Sequence, residues 1–135
     1  MLRFTPLLLL LAACSQQPAA PTLETGTFAG PGRDRLCIAG TAGNYRAGLI
    51  AFGSGNSNCS AAGRLELDGG KAVLVPRGEG PCRIALSIDG DVVRIEPPGE
   101  ACSYYCGPGA SLEGKSFART PGDEGASDLA GDPLC

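Results

Sequence analysis

Apolar and polar residues alternate with a period of two through the middle of this chain, the pattern of strands that lay one face on a core. Ile84, Leu86 and Ile88 alternate with Ala85 and Ser87, Asp89-Gly90 supplies a turn pair that tolerates positive φ, and Asp91 to Glu96 returns. A two-residue loop at Asp89-Gly90 places Leu86 opposite Val93 and Ile84 opposite Ile95, all four on one face. The arrangement also stands 21 residues upstream, where Leu65, Leu67, Asp68, Gly69 and Pro76 anticipate Leu86, Ile88, Asp89, Gly90 and Pro97. Shared turn chemistry and a true duplication both account for this repeat, and either makes consecutive hairpins in an antiparallel meander.

In the upstream copy Leu65, Leu67, Ala72 and Leu74 share one face while Val73 and Val75 occupy the other. That second apolar face predicts a sheet covered on both sides, or one curled into a barrel. Arg33 to Ile38 and Arg46 to Phe52 read as the first two strands, bracketed by Gly-rich turns at Gly40 to Asn44 and Gly53 to Asn58. Pro76 and Pro97 close the returning strands, because proline cannot donate to a ladder. No stretch has helical periodicity, and Ala126 to Ala130 is at most one turn. The expected fold is all-β: a small antiparallel meander forming a sandwich or a partly closed barrel.

The N-terminus follows other rules. Arg3 is the only charge before an apolar run from Leu7, and Ala12-Ala13 precede Cys14, giving the charged, hydrophobic and small-residue layout of an export signal. The run is far shorter than the roughly 20 residues of a spanning helix. Leu11-Ala12-Ala13-Cys14 resembles the lipobox of bacterial lipoproteins. The resemblance implies cleavage before Cys14, a diacylglycerol on its sulfur and usually a third acyl chain on its amino group. Since one chain binds only marginally, two or three give a stable anchor. Ser15 stands where an aspartate commonly signals inner-membrane retention, so the resemblance points to the cell envelope and to the outer membrane, facing the periplasm.

Removing residues 1–13 as a signal peptide leaves about 120 residues, enough for one small domain. Residues 14–30, rich in Pro, Ala, Thr and Gly, read as the acylated cysteine and a flexible tether. Residues 31–120 read as the β domain, with compact structure beginning near Arg33, and 121–135 as an acidic tail. With 21 glycines, no tryptophan and few aromatics the core is thin, and such domains need staples. Setting Cys14 aside, six cysteines remain: Cys37, Cys59, Cys82, Cys102, Cys106 and Cys135. An even number in an exported chain predicts a framework of about three disulfides, with Cys135 tying the tail back. Their pairing stays open among 15 connectivities. A zinc site is disfavoured by the absence of histidine and of any Cys-x-x-Cys pair.

The charge balance argues against a polyanion partner. Residues 30–119 hold ten basic and nine acidic side chains, and Asp123, Glu124, Asp128 and Asp132 follow without a base. No basic stripe for nucleic acid results. The tail acids lack the spacing of a calcium loop. No metal or other cofactor is expected. Without histidine, Ser-His-Asp and Cys-His catalysis is unavailable. Glu66 and Asp68 lie in the polar phase of a hairpin, and Gly53-Ser54-Gly55 lacks the lysine of a phosphate loop. The chain reads as a non-enzyme.

Ala101 to Phe117 stands apart, with two of the three tyrosines, two cysteines and a Gly-Pro-Gly turn. With Asn58-Cys59 and Arg77-Gly78-Glu79-Gly80 it resembles small Cys-rich bacterial lipoproteins, a resemblance that carries no activity with it. Tyr104 and Tyr105 suit either packing against the core and disulfides or contact with a ligand. Together with Lys115 they form the candidate binding loop. The expected function is a non-catalytic envelope lipoprotein, a periplasmic binding or inhibitor-like module with an envelope protein as partner. The alternatives are a structural or assembly lipoprotein of the outer membrane and, last, a carboxylate-only hydrolase. Small disulfide-stapled β lipoproteins that inhibit lysozyme are an architectural analogue, although their inhibitory motif has no match here.

Overall fold

A computed structural model describes residues 22–68, 71–122 and 124–135. The lipobox, Cys14 and the signal region lie outside the described residues. The strands are β1 (Gly26–Ala29), β2 (Arg35–Thr41), β3 (Asn44–Phe52), β4 (Asn58–Asp68), β5 (Lys71–Pro76), β6 (Ile84–Asp89), β7 (Val92–Ile95) and β8 (Ser116–Arg119). Each pairs antiparallel with its neighbours in sequence, and β1 pairs with β8, so the meander closes into a barrel. A short 3-10 helix, Glu100–Tyr105, interrupts the β7–β8 connection.

Closure resolves the choice between sandwich and barrel. Eight strands enclose an interior just wide enough for side chains to fill. Here it is filled by Phe28, Leu36, Leu49, Leu74, Ile84, Leu86, Val93 and Phe117, with the smaller Ala47, Ala51, Ala61 and Ala72 between them in the sequence pattern. Leu65, Leu67, Ala72 and Leu74 point inward as the alternation requires. Val73 and Val75 lie on the opposite, outer face, across from Glu66 and Arg64.

The two hairpins superpose in register. Leu65 faces Leu74 and Leu67 faces Ala72, while 21 residues on Leu86 faces Ile95 and Ile88 faces Val93. This differs by two positions from the expected pairing of Leu86 with Val93 and Ile84 with Ile95. The loop is Gly90-Asp91 rather than Asp89-Gly90, because Gly90, at φ +58°, supplies the positive φ at the first loop position and Asp91 has none. A shift of two leaves every side chain on its own face, so Ile84, Leu86, Val93 and Ile95 all reach the core.

Several boundaries depart from expectation. The strands read as Arg33 to Ile38 and Arg46 to Phe52 are Arg35–Thr41 and Asn44–Phe52, so Gly40, Thr41 and Asn44 pair in a ladder and the turn shrinks to Ala42-Gly43. Ser116 and Phe117, read as part of the loop, open β8. β1 lies inside the stretch 14–30 read as tether, so the compact fold begins at Gly26 rather than near Arg33. Its sequence offers one large inward residue, Phe28, among small ones, and Phe28 is almost wholly buried. The 3-10 helix falls where no helical period exists, held by two disulfides rather than by an apolar stripe.

The three disulfides are Cys37–Cys135, Cys59–Cys106 and Cys82–Cys102. Cys37–Cys135 ties the tail to the outside of β2. There Ala126 and Leu134 pack on Cys37 and Ile50, the outward residues of β2 and β3, in a second small apolar cluster. Gly48 makes room for this layer, since a Cβ there would overlap the Leu134 carbonyl.

The β2–β3, β4–β5 and β6–β7 turns define one end of the barrel, and the longer connections define the other. At the turn end Leu23 packs on the core, and its backbone N–H donates to the Tyr45 hydroxyl at 2.9 Å.

Candidate functional site

The β7–β8 connection closes the opposite end. It leaves β7 at Ile95, folds the 3-10 helix under the barrel, sends Cys102 and Leu112 into the core and enters β8 at Ser116. Within the helix the Cys102 N–H donates to the Gly99 carbonyl at 3.0 Å and the Ser103 hydroxyl to the Glu100 carbonyl at 2.8 Å. Cys102 is bonded to Cys82 just before β6, and Cys106 to Cys59 at the start of β4. The Gly107 N–H donates to the Asn58 carbonyl at 2.9 Å, and the Ser57 hydroxyl donates to the Pro108 carbonyl. The segment is thus pinned on both sides of its tyrosines.

Tyr104 is 87 % exposed, the most exposed large hydrophobic side chain among the described residues. Its ring meets that of Tyr105 edge-on, with centroids 5.3 Å apart at 88°. Tyr105 is partly buried against the core, and its hydroxyl donates to the Arg77 carbonyl at 3.4 Å. Beside the pair, the turn Glu79 to Cys82 and Ala101 enclose a shallow cavity of about 270 Å³. The turn and the tyrosines, singled out separately in the sequence, become neighbours through the Cys82–Cys102 bond.

Lys115 does not join them. Its ammonium donates to the Asp34 carboxylate at 3.4 Å and to the Phe52 carbonyl at 3.3 Å, and its side chain is only 25 % exposed. Asp34, buried where β2 begins, also accepts the Phe52 N–H at 2.8 Å. The chain re-enters the core at Leu112 and swings Lys115 toward the β1–β2 and β3–β4 connections, so the residue read as a loop contact holds those connections together.

Glu66 lies outward and pairs with Arg64 at 2.9 Å, and Asp68 is exposed opposite Lys71. Among the described residues no three acidic or cysteine side chains gather in a way that could hold a metal ion. The six cysteines are all bonded. Sequence reasoning passed over Asp34, whose burial follows from loop packing, and a cluster of arginines at the turn end. Arg46 and Arg64 sit in the outward phase of their strands, but only the β3–β4 register sets them opposite each other.

No family model matches the chain, and no curated protein or solved structure is significantly similar to it.

Proposed function

We propose that this chain is a non-catalytic, lipid-anchored protein of the bacterial cell envelope, acylated at Cys14. Held at the outer membrane facing the periplasm, it binds an envelope protein in the manner of an inhibitor. Tyr104 and Tyr105 are its contact surface. The observation that carries this reading is the exposure of Tyr104 on a segment held between two disulfides. Tyrosine brings large contact area with few rotors, and a contact already fixed in place loses little entropy on binding. Aromatic residues of this kind dominate binding energy at protein interfaces.

Two measurements test it. Mass spectrometry of the native, unreduced protein should give a lipid mass on Cys14 together with the three disulfide-linked peptides. Pull-down from crosslinked envelope should recover a partner at stoichiometric ratio with the native chain, and should lose it with Tyr104→Ala and Tyr105→Ala combined. Recovery by the double variant equal to that of the native chain would remove the tyrosines from the contact. A hydrolase as the stoichiometric partner would identify the module as an inhibitor.

A further inference from the structure

At the turn end the barrel wall splits. The β3–β4 ladder runs from Phe52 opposite Asn58 to Arg46 opposite Arg64 and stops there. Asn44 and Tyr45 stay with β2, while Leu65 to Asp68 leave with β5. Between them opens a cleft of about 740 Å³ with Tyr45, Leu65 and Leu67 in its lining. Arg46, Arg64 and Arg77 line it too, with Glu66 as the one acid among the described residues. Like charges directly opposite each other on adjacent strands are unfavourable. Glu66 offsets only Arg64, at 2.9 Å, whereas Arg46 and Arg77 enter no ion pair among the described residues. In a chain of net charge −3 this concentration of cations is local. Guanidinium groups match the oxygens of a phosphate in geometry as well as in charge.

The position of the cleft names the source of that phosphate. Leu23 is bonded through its backbone to the hydroxyl of Tyr45, so the chain leading back to Cys14 departs beside the cleft. The stretch from Cys14 to Leu23 reaches at most about 30 Å. An acylated Cys14 therefore keeps this end of the barrel near the lipid surface, where anionic headgroups attract basic residues.

We propose that the β3–β4 cleft binds the phosphate of an anionic phospholipid headgroup, with Arg46 and Arg64 as its principal ligands and Arg77 as a third. The phosphate chemistry rests on the cleft alone, and the choice of a lipid rests on the anchor at Cys14. Binding there turns the β3–β4 cleft toward the membrane.

The test uses the full chain in neutral detergent at physiological salt. It is titrated with short-chain phosphatidylglycerol below its micelle concentration, with the matching phosphatidylcholine and with inorganic phosphate, while the amide resonances of Arg46, Arg64 and Glu66 are followed. Saturable shifts with phosphatidylglycerol, weaker with phosphatidylcholine, are expected. Arg46→Gln with Arg64→Gln should weaken that binding by about tenfold or more, the usual worth of hydrogen bonds to a charged group. Arg94→Gln, an exposed arginine on β7, should leave it unchanged. Tighter binding of inorganic phosphate would overturn the lipid assignment, and no saturable shift with any probe would overturn the site. A missing acyl group shows separately, as the absent lipid mass on Cys14.

Discussion

The Lys115 ammonium lies 3.4 Å from the carboxylate of Asp34, although 81 residues of sequence separate them. Asp34 is almost wholly enclosed, and among the described residues its carboxylate takes two donors, Lys115 and the Phe52 N–H. Lys115→Met removes one and leaves the carboxylate buried with the other, a loss of about 1–3 kcal/mol. Asp34→Asn in the same chain should recover part of it, because a neutral amide still accepts the Phe52 N–H. Urea unfolding of the two single variants and the double variant measures the coupling. A loss from Lys115→Met indistinguishable from zero would return Lys115 to the list of available surface residues.

The tail is held by packing as well as by a covalent bond. In Gly48→Ala the new methyl meets the Leu134 carbonyl, and either the tail or β3 must move. The expected cost is about 1–3 kcal/mol, as for other overpacked sites. Removal of the Cys37–Cys135 bond by paired serine substitutions should cost about 2–4 kcal/mol. In both variants the Leu134 amide, which donates to the Ala126 carbonyl at 2.9 Å, should exchange faster while inward residues of β5 and β6 keep their protection. Equal acceleration throughout the barrel would mean that the tail is part of one cooperative unit.

What was legible in the sequence follows from how local each signal is. The β4–β5 and β6–β7 hairpins were readable because alternation, turn residue and partner lie within a few positions of one another. Even there the register needed the loop geometry at Gly90, which composition does not specify. β1 was hidden because it is four residues long and only Phe28 shows an apolar side chain of any size, although it pairs with nearby β2 as well as with β8, some ninety residues away. Cysteine parity predicted three bonds, but spacing could not select Cys59–Cys106 over its alternatives, because closeness arises only after the β7–β8 connection folds under the barrel. For the same reason Tyr104 and Tyr105 were visible as candidates while the true neighbours of Lys115 were not.

Arg119 fastens the seam at which the barrel closes. Its guanidinium lies 4.7 Å from the centre of the Phe28 ring, donates to Asp91 at 3.0 Å and to the Thr25 carbonyl at 2.8 Å, and pairs with Glu24. One side chain thereby joins the segment before β1 to the β6–β7 turn. Arg119→Met loses the guanidinium over Phe28 together with those donors, with an expected cost of about 1–2 kcal/mol. The loss should be concentrated in β1 and β8, whose amides should exchange faster than those of β3 and β4. Unchanged protection in β1 would show that the β1–β8 ladder closes the barrel without this arginine.

Presentation of Tyr104 can be separated from its chemistry. Tyr104→Ala removes an exposed ring and should change stability by less than about 0.5 kcal/mol, as surface substitutions do. Cys82→Ala with Cys102→Ala leaves both tyrosines in place but frees the 3-10 helix from the β5–β6 connection. That pair should lower stability by about 2–4 kcal/mol. It should also weaken partner binding at temperatures where the barrel is still folded, because the partner must then order the segment itself. Thermal unfolding followed beside the pull-down distinguishes the two effects. If the cysteine variants bind as well as the native chain while unfolding earlier, the disulfide serves stability alone and the tyrosines act without pre-organisation. If Tyr104→Ala instead destabilises the barrel, its ring is a packing element and the contact surface must lie elsewhere.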